Sequence, residues 1–594
     1  MKAAIDFETF YNRKISLTNM SVLDYLKHPD FYAYMVAIKR EDGYGWVGPI
    51  DECPWHELNG TTLFAHNRNF EEVVMNFSGL KLQKGQEAGD LQPLLDKFTP
   101  DSFHCTADMG SYLLYGRPLD EVMKNRYGVK VDKTVRANMM NVHYDSLTRG
   151  DLEALAQYCL EDTEWTLKFA IDEFDNWPEH EREISRATSE MCWQGLPIDK
   201  ARLERGISDL NDKVEWAIDT IPWSDGEREG ATSAKKFNEW CRSNNIEPPK
   251  STAKDDLEVV KWRTENPAGS QVMEAIHVLR GAGNYGKKMK TMLERTNENG
   301  WLPYGLKYFG ASPTGRDSGD AGFNTQNMPR GELYGVDLRS CIAAPDGKVL
   351  LSADFSQIEP RGAAYLAGEE GLLEIARSGV DWYEAMARSF GMYDDPRPLA
   401  EVDPPLRYDM KQRCLGCQYK MGANRFALMT GMEYEQAVAK VRLFRRKLPQ
   451  LVKLWDELEK DMHRAALSPE KVYEIELPSG RIMRYENVSS RGGLTANIIR
   501  NGRKMKLKYW AGILIENVVQ AFARDIFMDR ALALRHAGHN IILRVHDEFL
   551  FIGDKSSAES EKESIEEIMT TAPEWCDNFP LATDCHILER YGKV

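Results

Sequence analysis

The chain has 594 residues, too many for one core and enough for several domains. Its 42% hydrophobic content supports ordinary globular cores; no apolar run approaches the ~18 residues of a membrane span, so no membrane partner is expected. A net charge of −16 argues against indiscriminate nucleic-acid binding, although the field that acts on a polyanion is a local one.

In chain order, residues 1–178 alternate strand-like segments (3–6, 32–38, 62–65) with helical ones (70–76, 152–174). That alternation predicts an α/β layer domain. The N-terminus runs directly into an acidic strand rather than a secretory signal, so a cytoplasmic location is expected. Asn176-Trp177-Pro178 marks a boundary, and residues 179–295 read as mostly helical, ending at Asn299-Gly300. Residues 301–370 carry β-like runs with Gly-rich turns, and 371–470 are helical again. Leu477-Pro478-Ser479-Gly480-Arg481 reads as a hairpin turn. A long helix is expected at 511–537. It is followed by a hairpin of 541–545 and 549–552 with His546-Asp547-Glu548 at its turn.

Basic residues cluster at Lys287-Lys288-Met289-Lys290, at 442–447 and at Arg503-Lys504-Met505-Lys506-Leu507-Lys508. Each reads as a solvated helix face. Ten cysteines form no framework; Cys414 and Cys417 make the one C-x-x-C, without a second Cys/His pair for zinc. They read as small apolar residues on one helix face.

Three acidic motifs stand at the ends of apolar runs: Ala4-Ile5-Asp6-Phe7-Glu8-Thr9, Ser352-Ala353-Asp354-Phe355-Ser356-Gln357-Ile358-Glu359 and Val545-His546-Asp547-Glu548. A buried carboxylate is costly unless paired or bound to a metal ion. In a strand Asp6 and Glu8 face the same way, and two like charges on one face call for a cation between them. Asn67 precedes a helix carrying Glu71, and Tyr158 and Asp162 share a helix face at i and i+4. Together these segments resemble the DEDD-type 3′–5′ exonucleases of the ribonuclease H-like fold, in the subtype with a tyrosine. The resemblance implies two metal ions on Asp6, Glu8 and Asp162, which activate the attacking water and stabilise the leaving 3′ oxygen. It implies a water-orienting Tyr158, Glu71 where the family usually has Asp, and Asn67 supporting the site or touching the DNA end.

In the second half, a strand end at Asp354 and a hairpin turn at Asp547 can hold two carboxylates rigidly side by side, a geometry suited to a Mg²⁺ pair and in-line phosphoryl transfer. Residues 190–594 resemble the DNA polymerase I family (family A), especially its bacteriophage members. Asp354-Phe355-Ser356-Gln357-Ile358-Glu359-Pro360-Arg361 is similar to motif A, with Phe355 for the usual Tyr. Arg407, Lys411, Leu415 and Tyr419, spaced by four along one expected helix face, are similar to motif B; Leu415 stands where an aromatic is usual and Lys420 where a glycine is usual. Val545-His546-Asp547-Glu548 is similar to motif C. Thr314-Gly315-Arg316, Asn324-x-Gln326-Asn327 and Gln520 resemble the family's primer and minor-groove contacts, and the segment Glu589-Arg590-Tyr591-Gly592-Lys593 resembles phage homologues.

The resemblance implies an α/β multi-domain chain: a ribonuclease H-like exonuclease domain (1–178), then a right-hand polymerase (179–594). Its thumb is expected at about 200–300, its palm at about 301–370 and 511–594, and its fingers at about 371–510. It implies template-directed extension of a primer by deoxynucleoside triphosphates, with 3′–5′ proofreading, for phage genome replication in the host cytoplasm. The expected catalytic residues are Asp354, Asp547, Glu548, Asp6, Glu8, Glu71, Tyr158 and Asp162. Metal ligands are Asp354, the Phe355 carbonyl, Asp547, Asp6, Glu8 and Asp162, holding two Mg²⁺ per site, with Mn²⁺ as the alternative. Gln357, Glu359, Arg407, Lys411, Leu415 and Tyr419 are expected on the nucleotide. Arg316, Asn324, Gln326, Asn327, Arg361, Gln520, His546 and Asn67 are expected on DNA. Further candidate partners are a helicase, a primase, a single-strand-binding protein and a processivity factor. The competing readings are a nuclease whose other half clamps DNA without synthesis, and a single-subunit RNA polymerase-like enzyme. Intact Asp354 and Asp547 weigh against the first, Glu359 and the exonuclease motifs against the second.

Overall fold

The computed structural model describes the chain except residues 18–19, 87–92, 254–255, 321–322, 501–502 and 593–594, so Lys593 lies outside the described residues. The N-terminal sheet is built from β1 (Lys2–Thr9), β2 (Ala33–Arg40), β3 (Gly45–Gly48), β4 (Thr62–Ala65) and β5 (Ser102–Cys105), in the order β3-β2-β1-β4-β5. β1 runs antiparallel to β2 and parallel to β4. A helix at Arg149–Glu173, opened by a Thr148–Asp151 capping box, packs across this sheet and buries Leu155, Cys159 and Leu167. Along β1 the residues Ile5, Phe7 and Thr9 are buried while Asp6 and Glu8 are partly open, the alternation a one-faced strand requires.

Trp177, at the expected boundary, is buried, and its indole donates to the Tyr308 hydroxyl at 3.4 Å. The two halves are therefore packed together at this point rather than joined by an open linker. The helix Glu179–Gln194 follows. Two long helices, Lys200–Thr220 and Pro267–Arg295, then pair with each other, and the short strands β6 (Leu196–Pro197) and β7 (Trp301–Leu302) close that segment. Lys287 and Lys290 lie exposed on the second long helix and Met289 turns into its core, as expected for a solvated helix with one apolar stripe.

β8 (Leu306–Ala311) and β9 (Arg316–Gly319) form a hairpin. The central sheet of the second half is β15-β16-β10-β17, from β10 (Lys348–Phe355), β15 (Ile541–Val545), β16 (Glu548–Asp554) and β17 (Thr583–Leu588), antiparallel throughout. The buried helix Ala511–His536 runs through this half, and Phe527 from it stacks on Phe549 of β16 with ring centroids 4.0 Å apart. Helices fill most of 358–467. Next come β11 (Tyr473–Glu476), β12 (Ile482–Ser489), β13 (Thr495–Arg500) and β14 (Arg503–Lys508), a four-stranded sheet in sequential order. The Leu477–Arg481 turn joins β11 to β12, as read from its Pro-Ser-Gly. The basic segment 503–508 is a correction. It is the edge strand β14, not a helix face, because its apolar Met505 and Leu507 alternate with period two. All ten cysteines are buried and unpaired; Cys414 and Cys417 sit on the Pro404–Cys417 helix, their thiols pushed up to about 12 by burial.

Candidate catalytic centres

The first centre grows from two antiparallel strands. Asp354, near the end of β10, stands opposite Glu548, the first residue of β16. The tight turn between β15 and β16 puts His546 at φ +57° and points Asp547 back toward β10. The Phe355 N–H donates to the Asp547 carbonyl at 3.0 Å, which locks the hairpin tip to the strand end. Burial, then the charges of Asp547 and Glu548, push the Asp354 carboxyl up to about 8. Burial, then Glu359, also raises Asp547. Asp354 Oδ1 is buried without a hydrogen-bond partner. Crowded acids with an orphaned oxygen are unfavourable alone and suit a hard divalent cation with oxygen ligands.

Glu548 is placed differently. It accepts from the Ser352 hydroxyl at 2.7 Å and the Tyr591 hydroxyl at 2.8 Å, and Arg339 lies 3.6 Å away. Both its oxygens are engaged, so it braces the hairpin.

Gln357, at φ +51°, opens the helix Ile358–Ala367. Glu359 in its first turn receives the Tyr419 hydroxyl on Oε2 at 2.6 Å and Arg316 on Oε1. Arg407, Lys411 and Leu415 lie at spacing four on the Pro404–Cys417 helix, but Tyr419 falls two residues past its end, a correction to the expected single face. Lys411 and Leu415 are exposed, while Arg407 is bound to Asp381 through Nε at 3.1 Å and Nη2 at 2.8 Å. Lys420 adopts φ +61° and pairs with Asp456 at 3.2 Å and Glu459 at 3.3 Å. The chain thus keeps a left-handed turn without glycine and ties it with two ion pairs. Gly512 lets that turn pack closely; a Cβ there would stand 2.5 Å from the Tyr419 carbonyl oxygen.

Arg316, Asn324, Gln326, Asn327, Gln520 and His546 line one cavity of about 330 Å³ beside the carboxylates. Gln326 donates to the Arg544 carbonyl at 2.6 Å and accepts the His546 N–H at 3.3 Å, so this wall is tied to the hairpin. Arg361 does not join it. Arg361 is buried, donates to the Ser356 and Pro580 carbonyls at 2.9 and 3.2 Å, and lies over the Trp382 ring; it is a brace and not a DNA contact.

The second centre lies on the N-terminal sheet. Asp6, Glu8 and Cys159 bring ligand atoms within 4.8 Å of one another. Glu71 enters from the first turn of the helix Arg68–Asn76, and Tyr158 and Asp162 come from one face of Arg149–Glu173. Burial, then the Glu8, Glu71 and Asp162 charges, raise Asp6 well above its ordinary value. Burial is also the main cause that lifts Glu8 to about 7 and raises Glu71 and Asp162. Glu71 Oε2, Asp162 Oδ1 and the Tyr158 hydroxyl are buried without partners. The Arg136 charge partly offsets this acidity. Asn67, at φ +107°, makes no capping bond and lines a separate cavity of about 520 Å³.

The model of DNA polymerase family A matches residues 237–593. This chain belongs to DNA polymerase family A. The family A chain is 24% identical to a DNA polymerase of Bacillus phage SP02 across 99% of both chains. It is 29% identical to the thermostable DNA polymerase I of Thermus filiformis over 264 residues, 44% of this chain and 29% of that protein. Its fold is similar to the POL domain of Pol1 from M. smegmatis, solved in complex with DNA primer-template and dNTP. That match has a TM-score of 0.67 and 18% identity, and covers 99% of this chain and 95% of that one. No described helix is long and apolar enough to cross a membrane.

Within this family A polymerase the expected carboxylates fall into two groups, Arg361 and Asn67 stand outside them, and the structure adds other residues. Cys159 was hidden as a core residue between Tyr158 and Asp162. Asp381, Arg339, Ser352 and Tyr591 reach their partners across 26 to more than 200 residues of chain. Of these, Ser352 alone carried a local signal: two residues before Asp354, it points to the same side of β10.

Proposed function

We propose that this family A DNA polymerase extends a primer 3′ end with deoxynucleoside triphosphates at the Asp354–Asp547 centre and excises nucleotides from 3′ ends at the Asp6–Glu8 centre. The observation that carries the reading is the pair of separate carboxylate clusters, each with buried oxygens that no protein group satisfies. Family A polymerases are metal-dependent; Mg²⁺, with Mn²⁺ as a substitute, fits these oxygen-rich sites. Asp354, Asp547 and the Phe355 carbonyl would hold it in one centre, and Asp6, Glu8, Asp162 and Glu71 in the other. When bound, the ions supply neutralisation of the charge that develops in an in-line displacement.

The chain's own groups do the rest. Lys411 and Arg407 bind the triphosphate, Arg407 exchanging Asp381 for phosphate oxygens. Leu415 and Tyr419 flank the base, Gln357 lies beside the nucleotide, and Glu359 closes the space beside the sugar 2′ carbon. Arg316, Asn324, Gln326, Asn327, Gln520 and His546 donate to the minor-groove acceptors common to every correct pair. Tyr158 orients the attacking water in the second centre, and Glu548 positions Asp547. The corresponding parts are an exonuclease domain (1–178), thumb (about 200–300), palm (about 301–370 and 511–594) and fingers (about 371–510). Primer–template DNA is the partner. A helicase, primase, single-strand-binding protein or processivity factor would join it in phage replication in the host cytoplasm.

Mutation separates the two activities. Asp354→Ala or Asp547→Ala abolishes incorporation and spares trimming of single strands; Asp6→Ala with Glu8→Ala does the reverse. Both are read on one labelled primer by gel. A folded single-site variant that loses both activities rejects the two-centre reading.

A further inference from the structure

Cys159 has no part in the roles assigned so far, yet its thiol sits among the acids of the second centre. Its Sγ lies 3.7 Å from the Asp6 carbonyl oxygen and 3.8 Å from Asp6 Oδ2. Among the described residues, Asp6, Glu8 and Cys159 are the one group of three or more His, Cys, Asp or Glu side chains whose ligand atoms all fall within 4.8 Å of one another. The helix Arg149–Glu173 explains the approach. Leu155, Cys159 and Thr163, spaced by four, are its fully buried stripe against the sheet. Tyr158 and Asp162 each stand about 100° around the axis from a neighbour in that stripe. The thiol therefore meets Asp6 from inside the domain, while Tyr158 and Asp162 come to the centre from the adjoining face.

A second observation calls for a cation at the same place. Glu71 is 3% exposed and its Oε2 has no partner; Tyr158 is 5% exposed and its hydroxyl has none. The Glu71 charge is among those that raise Asp6, so the orphaned oxygen faces this cluster. The spacing suits a shared ion. Around a tetrahedral zinc ion, with sulfur at about 2.3 Å and oxygen at about 2.0 Å, a sulfur and an oxygen ligand stand about 3.5 Å apart. The Cys159–Asp6 pair is already within a few tenths of an ångström of that distance. In the first centre, Asp354, Asp547 and the Phe355 carbonyl offer oxygen alone. Oxygen donors suit Mg²⁺ and Mn²⁺, whereas a thiolate selects softer ions.

We propose that Cys159 is a sulfur ligand of the second centre, and that Asp6, Glu8 and Cys159 together form a site for a thiophilic divalent cation of the zinc and cadmium class. The thiol gives its proton to solvent as the sulfur–metal bond forms. This rests on reading the cluster as a cation site and is independent of the reaction performed there. Its consequence is that the two centres of one chain select different ions from the same solution. As a core residue alone, Cys159 would supply small apolar bulk and leave ion preference untouched.

The test uses the full chain carrying Asp354→Ala and Asp547→Ala, which removes the first centre's ligands, as parent. It is compared with the same chain carrying Cys159→Ser, Cys159→Ala or Asp6→Ala, each checked for folding by circular dichroism. Cadmium titration reads the thiolate-to-metal charge-transfer absorption, and calorimetry gives Zn²⁺ and Mn²⁺ affinities. The parent is expected to develop the band with one equivalent of Cd²⁺. Both Cys159 variants should lose it, and so should Asp6→Ala, in which all ten thiols remain. Zn²⁺ affinity should fall at least about tenfold in the Cys159 variants while Mn²⁺ affinity stays within about twofold. No band in the parent, or a band that survives Cys159→Ser or Asp6→Ala, overturns the proposal. So does a Zn²⁺ affinity indifferent to Cys159; if Asp6→Ala still abolishes Mn²⁺ binding, the cation site stands and only the sulfur ligand is retired. A parent that binds none of the three ions retires both.

Discussion

Glu359 holds two partners at once, Tyr419 on one oxygen and Arg316 on the other. A ribonucleotide's 2′-hydroxyl beside it must break one of these bonds and leave a buried polar group unpaired, at a cost of about 1–3 kcal/mol. Glu359→Ala is therefore expected to raise ribonucleotide incorporation relative to deoxyribonucleotide by roughly 5- to 150-fold, measured by single-nucleotide insertion kinetics. A small stability loss with unchanged sugar discrimination would instead mark Glu359 as a helix N-terminal carboxylate acting on the dipole. Asp354 supports a second expectation. Its carboxyl, ordinarily at 3.8, is lifted to about 8, so the folded chain binds more protons than the unfolded one between those values. The sign follows: without metal, this group lowers stability as pH rises from 3.8 toward 8. Ions must displace that proton, so half-saturating Mg²⁺ for primer extension should fall by up to about tenfold per pH unit between pH 6 and 8. A pH-independent Mg²⁺ requirement would show that Asp354 is already ionised in the free protein.

Among the elements, those whose local period was unobscured were legible in the sequence. Asp6 and Glu8 alternate with apolar neighbours, so a strand with two acids on one side followed from period two alone. The Asp354 strand end and the Asp547 hairpin were equally local. Where charge obscured the period, the reading failed. Lys-rich 503–508 has the alternation of a strand, but its cations resemble a helix surface. Arg361 sits in a motif of exposed function, yet its donors end on carbonyls as far away as Pro580, which no local pattern reveals. The Tyr419 turn shows the same limit, since spacing of four continued past the end of the helix. Its left-handed Lys420 makes a test. Lys420→Ala loses two ion pairs and keeps a backbone strain of about 1–2 kcal/mol, whereas Lys420→Gly loses the pairs but relieves the strain. The expected order of melting temperature is Gly above Ala. The reverse order would mean that the turn refolds around the substitution.

At the scale of the whole molecule, charge ties the helix that follows the boundary to the long buried helix of the second half. Glu181, on the helix after the N-terminal half, accepts from the Tyr308 hydroxyl at 2.6 Å and from Arg524 Nη2 at 2.9 Å, deep in the interior. Arg481 adds its donors to Asp525 and to the Thr314 carbonyl. Burial pushes Glu181 up, but the Arg524 charge and these hydrogen bonds outweigh it and hold the carboxyl at about 2. Its contribution is therefore complete above the ordinary 4.5 and is lost as pH falls from there toward 2. Glu181→Ala removes the main counter-charge of buried Arg524, leaving it Asp525 at 3.4 Å, and should cost about 3 kcal/mol at pH 7. The gap between wild type and variant in urea midpoint should narrow below pH 4.5. A gap that persists at pH 2 would assign the loss to packing rather than to charge.

The Tyr591 clasp on Glu548 also has a consequence in time. The catalytic hairpin is braced by a residue that the ribosome adds 43 positions later, and by β17 just before it. The N-terminal sheet and its crossing helix draw all their strands, and the acids of the amino-terminal centre, from residues before 178. At translation rates of about 5–20 residues per second, the amino-terminal centre can therefore assemble roughly 20–80 seconds before the other has all its supports. On the proposed assignment of the two centres, a chain still being made would be ready to trim a 3′ end before it is ready to extend one.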